Sequence, residues 1–171
     1  MKVRIYQPAS GPAQVVIPNP RLRAEGESVD VFIARIALHA EAASPVLAAI
    51  GDRADVDVSA LPPDRDFRDA WRLSGGAPRV DMTAAREIHR TKLRAARAPK
   101  LAELDAEYIR ELEKGGQGRP ADVVTKKQTL RDLPAEPAID AAETPDDLRA
   151  AWPEDVLGQA PYRGSSEAQR K

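Results

Sequence analysis

The sequence predicts an α+β protein: a small β-rich N-terminal unit of ββαβ order, then a helical hairpin with a short terminal helix. Three observations carry this reading. An alternating run, KVRIYQ, and a second short apolar run, QVVIP, open the chain. One stretch, SVDVFIARIALHAEAA, repeats apolar residues at the spacing of a single helix face. From Thr83 a helical pattern then persists for about thirty residues.

Taken in order, Lys2 to Gln7 place Val3 and Ile5 on one side of a strand, and QVVIP follows a Ser-Gly-Pro-Ala turn, so the start reads as a β-hairpin. Val29, Phe32, Ile33, Ile36, Ala37 and Ala40 then share a helix face, with Ser28 as N-cap. After Ser44-Pro45, DVDVSA alternates as a strand with Val56 and Val58 inward, which completes a unit over 1–61. Residues 62–81 form a junction with prolines and a hairpin signal around Ser74 to Pro78; Phe67 and Trp71 share a helical turn there, or Trp71 begins a strand.

Residues 82–153 read as the helical hairpin. Pro99 interrupts its long first arm, so that helix should kink or restart there, and Gly115-Gly116 end it. Leu101, Leu104, Tyr108 and Leu112 form the apolar stripe of the second half. A short loop implies antiparallel return through PADVVTKKQTLRDLP, with Val123, Lys127 and Leu130 on one face. TPDDLRAAWP starts a last helix with Thr144 as N-cap, Pro145 at the first position and Asp147 at the third. Residues 154–171 are turn-rich and polar and read as a mobile tail.

The chain has 171 residues, of which 42% are hydrophobic and only 4% aromatic, so any core is lean and leans on a few Leu, Ile, Val and Trp positions. With 26 basic and 27 acidic residues the net charge is −1, which gives the whole molecule no electrostatic reason to seek nucleic acid or an acidic membrane. The absence of cysteine removes disulfides, thiolate metal sites and thiol nucleophiles. MKVRIYQPASG lacks the apolar run of a signal peptide, and no stretch approaches the roughly 18 apolar residues that span a bilayer. The expected location is the cytoplasm at synthesis.

Chemistry finds no foothold. His39 and His89 lie in different helical stretches without metal-ligand spacing, and the arginines beside His89 would lower its pKa. The glycine clusters at 74–76 and 115–118 do not follow a strand and open a helix with Lys-Ser or Lys-Thr. Acidic groups in DRDFRD and PDD sit where ion pairing and capping explain them. No catalytic, cofactor-binding or metal-binding residue is assigned, and the chain reads as a non-enzyme.

Charge order along the long helix is more informative. Arg86, Arg90, Lys92, Arg94, Arg97 and Lys100 precede or meet Pro99 with only Glu87 against them, whereas Glu103, Asp105, Glu107, Glu111 and Glu113 follow with only Arg110. This order opposes the helix macrodipole. It is either a solvated face or a basic segment that meets an acidic surface of a partner or of another copy. Trp71 plugs the seam between the first unit and the long helix, and Trp152 closes the end of the hairpin, unless either indole is an exposed anchor for a partner. The candidate partner-binding residues are Arg86, Arg90, Arg94, Arg97, Leu130, Arg131 and Trp152.

LPPDRDFRDAW, RAARAPKLAELDAEYIRELE, KKQTLRDLPAEPAI and TPDDLRAAWP together resemble small proteins encoded among the tail genes of tailed bacteriophages. The last two pieces are similar to the C-terminal part of tail-assembly and tail-fibre-assembly chaperones, and the resemblance as a whole covers roughly Leu61 to Pro153. The matching signature positions are Leu130, Arg131, Asp132, Leu133, Trp152 and Pro153. The resemblance implies a non-catalytic protein that binds a tail or tail-fibre protein. It would act transiently in the host cytoplasm or stay in the virion tail as an adaptor, decoration or fibre-attachment subunit. The basic REIHRTKLRAARAPK segment and the N-terminal unit depart from that pattern.

Overall fold

The computed structural model describes residues 1–114 and 119–162, and the chain divides into two compact units at Ala85–Arg86. The architecture is α+β, with small antiparallel sheets first and helices after.

In the first unit, strands β1 (Lys2–Tyr6), β2 (Gln14–Val16) and β3 (Arg53–Asp57) form an antiparallel sheet in the order β2-β1-β3. Arg4 lies opposite Val16 on one side and Asp55 on the other. Helix α1 (Val29–Ala43) connects β2 to β3 and is followed by the single turn α2 (Pro45–Ala48), which gives the expected ββαβ order. Ser28 Oγ accepts from the Val31 amide at 3.2 Å and caps α1 as its position in the sequence dictates. Phe32, Ile33 and Ala37 are buried, with Val29, Ile36 and Ala40 half-buried beside them.

Two details differ from the sequence reading. Val58 does not point inward with Val56: β1 runs out at Lys2, opposite Asp57, and the Val58 amide turns to the Met1 carbonyl at 2.8 Å. Val58 therefore enters a 3-10 turn and is 36% exposed. The stretch 62–81 is not a separate junction. Trp71 opens strand β4 (Trp71–Ser74), which pairs with β5 (Ala77–Val80), and Trp71 and Leu73 are buried in one cluster with Val3, Ile5, Ala13 and Leu61. Burial with the first sheet places this hairpin, and Trp71 with it, inside the first unit. Gly75 and Gly76 form its two-residue turn at φ +59° and +76°, a backbone in which residues with a Cβ are strained.

Helix α3 (Met82–Glu113) runs through Pro99 without stopping. Pro99 and Ala95 both lie on the exposed side, so water can reach the carbonyl that lacks its usual helical donor. Helix α4 (Pro120–Asp132) returns antiparallel to it. Glu107 pairs with Lys126 at 3.6 Å and Asp105 pairs with Lys127, while Arg97 reaches the carbonyls of Leu130 and Arg131. A short helix that periodicity did not disclose, α5 (Pro137–Ala141), buries Ile139 completely. Helix α6 (Pro145–Ala150) carries the expected capping box between Thr144 and Asp147.

The tail boundary at 154 needs correction. Residues 154–162 pack against the second unit, with a turn of helix, α7 (Glu154–Leu157), and buried Ala160 and Tyr162. The reason is aromatic and apolar burial that a polar average conceals. Gly115-Gly116 and the remainder of the expected tail, 163–171, lie outside the described residues.

Candidate functional site

The basic segment of α3 turns most of its guanidinium groups onto its own unit. Arg86 donates to the Ala142 carbonyl at 2.8 Å. Arg90 donates to the Pro134 carbonyl at 3.1 Å and to Asp140 and Glu87 at 2.6 Å each. Arg97 donates to the carbonyls of Leu130 and Arg131 at 3.1 and 2.6 Å. The last carbonyls of a helix have no intrahelical donors and carry its negative end, so an arginine there both satisfies and stabilises them. The basic residues whose order opposes the dipole of α3 thus serve the ends of α4 (Arg97) and α5 (Arg86) and the turn after α4 (Arg90).

The seven residues expected to bind a partner therefore separate. Arg86, Arg90 and Arg97 serve the second unit itself, and Leu130 and Trp152 are buried at 4% and 5% exposure. Neither of those two apolar side chains is an exposed anchor. Arg94, at 4.0 Å from Glu87, and Arg131 are exposed.

Trp152 belongs to a small aromatic cluster with His89 and Tyr162. The three rings lie about 6 Å apart, His89 stacked on Tyr162 and Trp152 edge-on to both. The indole Nε1 donates to the Gly158 carbonyl at 2.9 Å, and His89 Nδ1 lies 2.5 Å from the Tyr162 hydroxyl. Burial, helped by Lys92 and Arg90, pushes the His89 pKa down to about 4, so the ring is neutral near pH 7. Its Nε2 is buried and has no hydrogen-bond partner among the described residues. The cluster is a packed joint: Lys92 Nζ lies 4.3 Å from the Tyr162 ring centre and closes it further. His39, by contrast, is exposed.

Each unit also has an open concavity. In the first, a cleft of about 700 Å³ lies between the β1–β2 turn, residues 49–52 and β4. Gln7 fixes its walls, accepting from the Leu73 amide at 2.9 Å and donating to the carbonyls of Pro8 and Gly11. Its charged lining residues are Asp52 and Arg72, with no histidine. In the second, a groove of about 370 Å³ runs between α3, α4 and α7. Leu104, Leu130 and Val156 line it with apolar surface, and Lys100, Glu103, Glu107, Lys126 and Thr129 supply the polar groups. Nearer the end of α3 and the start of α4, Ile109, Leu112 and Val124 are each exposed by about half. Leu104 stood in the apolar stripe legible from sequence, whereas Val156 fell in the stretch read as tail.

Among the described residues no three His, Asp or Glu side chains group as a metal ion requires, and no helix is long and apolar enough to cross a membrane. No family model, curated protein or solved structure matches the chain.

Proposed function

We propose that this chain is a non-catalytic phage tail-associated interaction protein, similar in role to tail-fibre-assembly chaperones, and that it binds a segment of a fibre or tail protein through its helical hairpin. The tail assignment rests on the resemblance carried by LRDLP and TPDDLRAAWP. The binding surface rests on one observation: the groove between α3, α4 and α7, which Leu104 and Val156 line as partly buried apolar side chains beside charged groups of both signs. A groove with an apolar floor and polar rim takes the apolar side chains of an amphipathic segment.

The surface is thus moved from the arginines named in the sequence analysis to the groove beside them. The test uses purified products of the neighbouring tail genes as probes. One of them should be retained by the full chain, and Val156→Arg should weaken retention at least about tenfold while the fold is kept. Retention of none overturns the proposal. Quantifying the chain in purified virions separates the two roles: absence fits a transient chaperone, and a fixed copy number fits a permanent subunit.

A further inference from the structure

Strand β3 lies at the edge of the first sheet, with its outer side unpaired. The Asp52 carbonyl accepts from the Gln7 amide at 2.9 Å and the Val58 amide donates to the Met1 carbonyl at 2.8 Å, so the even-numbered residues of this stretch turn their backbone groups toward β1. The amides and carbonyls of Arg53, Asp55 and Asp57 therefore point away from it, and no other strand pairs with them among the described residues. The core is open along the same edge: Ala54 and Val56 pack against the buried cluster of Val3, Ile5 and Trp71, yet both stay partly exposed. An edge of this kind is a template for a further strand.

We propose that β3 pairs antiparallel with β3 of a second copy about a two-fold axis at Asp55, which joins the two sheets edge to edge. The order of charges selects both this partner and this register. Arg53 lies opposite Asp57 of the second copy and Asp57 opposite its Arg53, so the axis makes both ion pairs at once. Arg53 meets Glu41 through Nη1, and Asp57 meets the Met1 amine through Oδ1, which leaves other nitrogens of the guanidinium and Oδ2 of the carboxylate to the second copy. Asp55, which faces its own image, is neutralised by two bonds from Arg4 at 2.7 Å each. On the core face Ala54 meets Val56 of the second copy, and both are covered. Sliding the strands by two residues one way sets Arg53 against an Asp55 already taken by Arg4, and Val56 against Asp52. Sliding them the other way sets Asp55 against Asp57, two like charges. The pairing uses residues of the first unit alone and is independent of the groove on the second.

Sedimentation of the full chain over a concentration series tests this. Mass should rise toward that of a dimer by ~200 μM. Arg53→Glu and Asp57→Lys should each weaken self-association at least about tenfold with circular dichroism unchanged, because each turns both ion pairs into like-charge pairs. An equimolar mixture of the two variants restores opposite charges at both positions and should recover the parent affinity as a heterodimer, which a folding defect could not do. A chain still monomeric at ~200 μM, a dimer that neither substitution weakens, or variants that stay monomeric when mixed overturns the proposal. Normal dimerisation with no capture of a tail protein would sink the proposed function and leave this inference standing.

Discussion

Trp152 is 5% exposed, touches both His89 and Tyr162, and donates its indole hydrogen to Gly158. Truncating it removes packing on several sides at once. Trp152→Ala should cost about 3–5 kcal/mol in chemical unfolding, the range for a large buried aromatic. His89 gives the same cluster a pH dependence. Its pKa near 4 in the fold lies below the ordinary 6.5, so the unfolded chain takes up the proton first as pH falls. The contribution of His89 is whole above pH 6.5 and drains away toward pH 4, by about 3 kcal/mol in all. Unfolding measured across that window should show a slope that His89→Phe flattens. Glu27, in the other unit, has its carboxyl held near 2 by Arg35 against an ordinary 4.5, so its own loss of stability begins only at the bottom of this window and continues below it.

At the level of elements, helix ends decide much of the second unit. Arg97→Ala leaves the Leu130 and Arg131 carbonyls without that donor and should destabilise by about 1–3 kcal/mol. Thr144→Ala, which removes the cap of α6, should cost about 1 kcal/mol, checked by the same unfolding curves. These two ends differ in how the sequence discloses them. Thr144 and Asp147 sit three apart and bond each other's backbone, and Ser28 caps α1 in the same local way, so spacing alone revealed both starts. Arg97 acts on carbonyls 33 and 34 residues away, and the sequence shows only a cation on an amphipathic helix. His89 and Tyr162 meet across 73 residues. The groove was half legible for that reason: Leu104 follows the stripe of α3, but Val156 arrives through a fold-back fixed by Trp152 and Tyr162 at separations no period encodes.

For the molecule as a whole, the two units offer different surfaces. The first exposes the outer edge of β3, and the second exposes a groove edged by charges of both signs, while its arginine segment is largely spent on its own carbonyls. Binding of a tail protein in that groove should therefore change little between low and high salt, since the surface carries no block of one sign for salt to screen. Hydrogen exchange of the full chain, with and without a purified fibre or tail protein from the neighbouring genes, tests the central claim most directly. Slowed exchange in α4 and α7 and along residues 100–107 of α3, with β1 to β3 unchanged, is the predicted result. Protection confined to the cleft beside Gln7 and Asp52, or none with any tail protein, would contradict it.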